Sequence, residues 1–429
     1  MVSKIKLRPI AAGLATVFAC ALSGGVAHAV TCESLNLPNP IYGAGGSAIT
    51  PTLAAVALQL SKAEPPITVF YADPGAQKGY DAFAANAIKV SFKYWTKDAD
   101  LATPPTCDPV DATAGQPADF GSTGGSLALF GETLPDGIGQ FSGPAQGVNI
   151  IVPKDQQQDS DSISTEALYD IFGFGDGSQA FHWSDKRYIF QRGTSSFVQQ
   201  FIRGTVQTLG GPAAAFPASF PGASPSAPDS NQGTVDSINA AVALATTARD
   251  GSPITEAAIG FTSGPTADKN RKTVKTLAYQ HTGQTCGYWP DSTADAFDKI
   301  NIRTGQYFLW DVNLFFARID GSNKNAALSQ IKNETVRTFI GYFSGEVAPP
   351  TGVDVNSAIT TTGSIPLCAM RVKRDGDFGA LSSYAPAEPC GCAFEAIATK
   401  APTCDACTVD KDCKNADAPA CHFGYCEAY

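Results

Sequence analysis

Seven cysteines fall between Cys390 and Cys426, and no other feature restricts the fold as much. Sulfur at that density is either paired or bound to metal. Cys404-Asp405-Ala406-Cys407 is a C-x-x-C, but only His422 lies nearby. The series Cys404, Cys407, Cys413, Cys421, Cys426 holds no second C-x-x-C, so disulfides are expected rather than zinc. Disulfides need an oxidising compartment, and the N-terminus agrees. Lys4, Lys6 and Arg8 precede an apolar stretch over 10–22 and a small-x-small end at Ala27-His28-Ala29. That order is a secretory signal peptide over 1–29, cleaved after Ala29. The stretch falls short of the roughly 20 apolar residues a membrane anchor needs. A lipoprotein signal ending at Cys20 fits poorly, because bulky Phe18 stands where small residues are usual. Cleavage leaves eleven cysteines, an odd number. One thiol is therefore unpaired or bound to another chain, and the tail is where it is expected.

The remaining 400 residues suffice for two ordinary domains and an appendage. Hydrophobic residues make up 43% of the chain, enough for a real core, and charged residues only 16%. Removing Lys4, Lys6 and Arg8 takes the formal charge from −10 to −13. That balance argues against nucleic acid and anionic lipid as partners. It leaves open a small anion held by local backbone dipoles. No later segment is apolar enough to span a bilayer, so no membrane insertion of the mature chain is expected. The destination is the periplasm or the outside of the cell.

Residues 30–385 alternate short apolar runs with stretches of helical spacing, which argues for an α/β architecture. Strands are expected over 67–71, 147–153, 188–192, 257–261 and 273–279. Helices are expected around Leu53, Val56 and Leu60; around Leu168, Ile171 and Phe172, opened by Ser164 and closed by Gly173; around Phe197, Val198, Phe201 and Ile202; and around Val235, Ile238 and Val242. A Pro/Ser/Ala-rich loop interrupts them over 211–230, and a Cys-rich module follows over 386–429.

Two of the helices are preceded by loops suited to an anion. Gly43-Ala44-Gly45-Gly46-Ser47-Ala48-Ile49-Thr50-Pro51 runs into the first. Arg192-Gly193-Thr194-Ser195-Ser196 runs into the third. A helix N-terminus presents unpaired N–H groups and the positive end of the macrodipole. Glycine lets an oxyanion approach the backbone, hydroxyls add donors, and Arg adds a fork matched to phosphate or carboxylate. Each loop alone is an ordinary cap and turn; the pair points to a tetrahedral or carboxylate anion clamped between helix ends. Enzyme signatures are thin. Three histidines remain, none in H-E-x-x-H, and Gly260-Phe261-Thr262-Ser263-Gly264 lacks the spacing of a nucleophile elbow. No enzyme, metal or cofactor is expected. Aromatic clusters near 181–183, 288–290 and 307–310 are expected in the core.

The order of these motifs resembles the periplasmic phosphate-binding proteins of ABC transporters over most of residues 40–345. The Gly-Ala-Gly loop at 43–51 is followed by Val69-Phe70-Tyr71 and by Gly75-Ala76-Gln77-Lys78-Gly79. Next come Asp119-Phe120-Gly121-Ser122-Thr123 and Ile150-Ile151-Val152-Pro153. Residues 166–173, Trp183-Ser184-Asp185, 192–197 and 258–261 complete the series. The resemblance implies a two-lobed type 2 periplasmic-binding-protein fold, with lobe 1 at about 38–138 and 285–385 and lobe 2 at about 139–284. The chain would cross near 139–149 and 277–284. It implies phosphate or a related small oxyanion as ligand, and an ABC transporter permease as partner. Carried over residue by residue, the ligand-binding set is Ser47, Ala48, Arg192, Thr194 and Ser195, with Arg187 as the other candidate for the Arg role. Two positions depart from the family. Ala76 stands where it has a ligand-binding Ser, and Gly124 where it has an Asp that accepts the proton of hydrogen phosphate. Those departures and the tail motivate a second expectation, a secreted surface interaction protein that keeps the fold without transport.

Overall fold

The computed structural model describes residues 30–155, 161–174, 177–180, 183–207, 230–243, 258–323 and 326–428. The signal peptide, His182 and all but the last residue of the Pro/Ser/Ala-rich loop lie outside that set. One half of the molecule is built on β1 (Pro40–Gly45), β2 (Thr68–Ala72), β3 (Phe92–Tyr94), β4 (Thr106–Cys107) and β5 (Phe120–Thr123). β6 (Ile138–Pro153) is sixteen residues long. β7 (Ser162–Ser164), β8 (Ile189–Phe190), β9 (Ile259–Ser263), β10 (Val274–Thr276) and β11 (Ala278–Gln280) follow, then β12 (Trp310–Arg318). The spatial order is β4-β3-β2-β1-β5-β12-β6-β9-β8, with β10 also on β6 and β11 paired separately with β7. β1 is parallel to both β2 and β5, while β12 runs antiparallel between β5 and β6.

β6 ties the halves together. Its first part pairs with β12 from Ile138↔Arg318 to Gly147↔Trp310, and its second part pairs with β9 from Val148↔Ser263 to Ile151↔Gly260. Only 147–153 reads as a strand in the sequence, because that end is buried on both faces. The earlier part alternates, with Gln140 and Ser142 exposed between buried Ile138, Phe141 and Gly143.

The described residues form the α-helices α1 (Thr50–Leu60), α2 (Ala76–Ala84), α3 (Thr165–Phe174), α4 (Phe197–Gln207), α5 (Asn231–Ala243), α6 (Gly264–Lys269), α7 (Ile300–Arg303), α8 (Glu334–Ser344), α9 (Val355–Thr361) and α10 (Gly391–Thr399). The four expected helices are α1, α3, α4 and α5. Leu53, Val56 and Leu60 of α1 are fully buried against Ile41, Val69, Phe339 and Ile359. Ser164 does cap α3, its Oγ accepting from Ala167 N–H at 3.2 Å, but the helix runs through Gly173 to Phe174. The single strand expected over 273–279 is two, because Leu277 turns inward and β10 and β11 pair with different partners.

The Cys-rich module folds onto the body. Disulfides join Cys368–Cys390, Cys392–Cys404, Cys407–Cys421 and Cys413–Cys426, and a fifth joins Cys32–Cys107 near the N-terminus. The sulfurs of Cys407, Cys413 and Cys426 lie within 4.8 Å of one another, a proximity their disulfides explain without metal. β13 (Val372–Arg374) pairs with β14 (Leu381–Ser383), and β15 (Ala420–His422) with β16 (Tyr425–Glu427). Phe394 is buried in the same cluster as Val148, Ile150 and Tyr307, with the Arg303 guanidinium 5.1 Å over its ring. Glu427 accepts from Cys392 N–H at 2.7 Å. The odd thiol is not in the tail. It is Cys286, exposed in the loop after β11, because the tail cysteines are all paired. The fold class is the expected one: an α/β chain in two halves joined through β6, with a small disulfide-rich C-terminal module. No helix among the described residues is long and apolar enough to cross a membrane.

Candidate anion site

Four helices of nine to thirteen residues begin at one small cavity. The loop Gly46, Ser47, Ala48 and Ile49 brings in the start of α1, and Gly75 and Ala76 the start of α2. Ser196, Phe197 and Val198 open α4, and Asn231 opens α5. The N–H groups of a helix's first turn have no partner within the helix, and the macrodipole adds about half a positive charge there. α1 has no side-chain cap; its Thr50 N–H turns back to the Ser47 carbonyl at 3.4 Å and Pro51 carries no N–H, so what α1 brings to the cavity is the loop before it and the positive end of its dipole. The cavity holds about 20 Å³, little more than the space a water or two occupies on that measure.

The α1 loop is held by close contacts that leave no room for a side chain at Gly45. A Cβ on Gly45 would fall 2.2 Å from Ser122 Oγ and 2.5 Å from the Tyr71 hydroxyl. A Cβ on Gly79 would fall 2.3 Å from Gly45 Cα, so α2 packs directly on the β1 backbone. Tyr71 donates to the Gly46 carbonyl at 3.0 Å and lies 2.7 Å from Ser122 Oγ. Burial pushes its phenol well above the usual range, so the hydroxyl keeps its proton and holds the loop.

Arg192 is the charged residue of the lining. It is 4% exposed, and its Nη1 donates to Asn231 Oδ1 at 3.0 Å. Its own N–H donates to Gln199 Oε1 at 3.0 Å. Asn231 also faces Ser47, with Nδ2 3.5 Å from Ser47 Oγ, so residues from both halves meet across the cavity. Thr123, Gly124 and Asn313 complete the wall. Asn313 bonds Gln146 and the Pro144 carbonyl, which leaves it a positioning part of β12. No carboxylate lines the cavity among the described residues.

Of the five residues expected at the site, Ser47, Ala48 and Arg192 meet there. Thr194 and Ser195 do not line it. Ser196 N–H closes a turn onto the Gly193 carbonyl at 3.0 Å, and that turn sends the two preceding residues elsewhere. The Ser195 carbonyl accepts from Gln77 N–H at 3.1 Å, and the Thr194 carbonyl accepts from Gln200 Nε2 at 2.6 Å. The hydroxyl-bearing residue that this loop places on the cavity wall is Ser196. Arg187 does not take the Arg role either, since it is exposed and paired with Asp185. Asn231 was not foreseen. Its one trace in the sequence is Ser230, a capping residue whose Oγ accepts from Gly233 N–H at 2.9 Å.

Gly124 explains the missing acid. A Cβ there would lie 2.2 Å from Phe197 Cδ1. The aromatic ring that opens α4 occupies the room a side chain at 124 would need.

No family model matches the chain, and no curated protein matches it by sequence. Among solved structures it is similar to a putative phosphate ABC transporter substrate-binding protein with bound phosphate from Clostridium perfringens. That match has 12% identity and a TM-score of 0.47, covering 77% of this chain and 100% of the other. An ABC-type phosphate transport receptor from Vibrio cholerae matches at 16% identity and a TM-score of 0.43, over 76% and 99%. A phosphate-binding protein from Stenotrophomonas maltophilia matches at 14% and 0.42, over 77% and 91%. Likeness at that level carries no ligand with it, and the site stands on its own geometry.

Proposed function

We propose that this chain is an exported solute-binding protein that closes its halves around a small tetrahedral oxyanion, phosphate or a relative of it. The convergence of four helix N-termini and the buried Arg192 on one small cavity carries the reading. In this reading the lobes are about 38–138 with 285–385 and about 139–284, and closure brings Ser47 toward Asn231 and Arg192. Five disulfides support maturation outside the cytoplasm, after removal of residues 1–29. Delivery to an ABC permease follows if the halves open and close.

The lining sets the ionisation state. With no carboxylate in the lining among the described residues, the O–H of a protonated oxyanion would meet only hydroxyl and amide oxygens, weaker acceptors than an ionised carboxyl group. A fully ionised anion meets no such penalty. Sulfate, which carries no proton, meets no penalty; doubly ionised phosphate keeps one O–H and is the weaker ligand of the two. The tail packs against the core, which supports a structural role there over that of a free interaction module. Calorimetry with phosphate, sulfate and arsenate tests the reading: saturable 1:1 heat is expected, and no heat from any of them refutes it.

A further inference from the structure

We propose that the ligand is an organic phosphomonoester, its phosphoryl head in the anion cavity and its apolar or aromatic group in the cleft that adjoins it. This rests on the anion-site reading above. The cleft holds about 810 Å³, within the roughly 300–1,000 Å³ usual for small-molecule sites, whereas the anion cavity holds about 20 Å³. A bare oxyanion has no use for the larger space.

The two spaces share Ser47 and Asn231 in their walls. What separates them is the 3.5 Å approach of Asn231 Nδ2 to Ser47 Oγ, at the outer limit of a hydrogen bond. An ester oxygen passing between these two polar side chains would meet a donor in place of that weak contact. The phosphoryl group would then point at the helix ends while its substituent emerges in the cleft.

The cleft wall suits an apolar substituent. Trp95 and Leu101 line it from one half, and Phe394, Ile397 and Ala398 of α10 line it from the Cys-rich module. Trp95 is fully buried, and its indole N–H has no acceptor among the described residues. Phe297 is 42% exposed on the same wall, its ring fixed by the Arg271 guanidinium 3.9 Å above it. The charges also favour an anion. Asp73 pairs with Lys93, and Asp268 with Lys299. Lys269 and Lys400 line the cleft and make no ion pair among the described residues. The cleft is thus positive in a chain of formal charge −10. The position of α10 gives the disulfide-rich module a function: it supplies the wall that turns an anion pocket into a site for a larger molecule.

Calorimetry on the oxidised mature chain, with orthophosphate and phenyl phosphate as separate probes, tests the proposal. Both should bind, the ester at least ten-fold more tightly. Ala398→Trp, which fills the cleft, should abolish that advantage and leave orthophosphate unchanged. Thr361→Trp, at an exposed rim position, should do the same and serves if the α10 variant fails to fold. An ester that binds no better than orthophosphate, or an advantage that survives both substitutions, overturns the cleft proposal and leaves the anion site standing. Absence of heat from both probes overturns the anion site and this proposal together.

Discussion

Arg192→Met removes the fixed charge of the site and keeps most of the buried stem, so affinity should change more than folding. At about 4 Å and an effective dielectric near 20, one unit charge is worth about 4 kcal/mol to an anion. A charge-assisted hydrogen bond contributes about 1.5–3 kcal/mol net. Taking about 3 kcal/mol as the loss, the dissociation constant rises by roughly 100-fold. The helix N-termini remain, so binding is weakened rather than abolished. Asn231 Oδ1 loses its bond from Arg192 but still accepts from Ser263 N–H at 3.3 Å, which limits the disturbance to the fold. Arg192→Lys keeps a charge without the planar fork and should fall between the two. Isothermal titration with sulfate reads the affinity, and the sulfate-induced rise in melting temperature checks it by linkage. A methionine variant that binds within three-fold of the parent would refute the assignment of Arg192 to the anion.

Further predictions concern the frame around the site. Asp311 is buried beside Asp377, and burial first, then that neighbouring carboxylate, raises its pKa well above the usual range. Its neutral form is favoured in the fold, so the stability it contributes is complete below the ordinary carboxylate pKa of about 3.9 and is lost as pH rises toward the folded value. Asp311→Asn should therefore raise the melting temperature at pH 7 by more than at pH 4, and an equal effect at both would count against the shift. Phe378 packs on Phe201 at 5.0 Å, and a Cβ on Gly204 would fall 2.3 Å from its ring. Gly204→Ala should cost about 1–3 kcal/mol, and Phe378→Ala should relieve much of that in a double-mutant cycle of chemical denaturation. Reduction should unfold the tail before the sheet. Its loops of 12 to 14 residues are each worth about 3 kcal/mol when closed. Loss of hydrogen-exchange protection over 391–428 ahead of β6 would be the sign; simultaneous loss would show that the module is not a separate unit.

The parts of the site that could be read in the sequence are those encoded locally. The 43–51 loop announces itself through glycines and Pro51, and Ser47 and Ala48 face the cavity as that loop dictates. The Arg192 segment was legible as an anion loop, but which hydroxyl faces inward depends on one turn. The Gly193–Ser196 bond shifts the answer by a single residue. Asn231 escaped because its role exists only after α5 is brought against α1 across the two halves. Gly124 could be seen as a departure, but the reason lies in the Phe197 ring, 73 positions away. In the fold, strands buried on both faces showed as apolar runs. The amphipathic first part of β6, broken by Gly143 and Pro144, did not. Paired sulfur in the tail could be inferred from density, while Cys286 as the unpaired thiol could not, because pairing is decided by distance in the folded chain.

The pH dependence of anion binding tests the central claim most directly. Phosphate and sulfate are titrated into the mature protein across the second ionisation of phosphate. A site lined by no carboxylate among the described residues, with Phe197 filling the room beside Gly124, predicts a sulfate affinity that stays flat. It predicts a phosphate affinity that rises with pH as one of the two ligand protons is lost, then levels off below that of sulfate, because the dianion keeps one O–H. Tighter binding of singly ionised phosphate, with sulfate excluded, would contradict it.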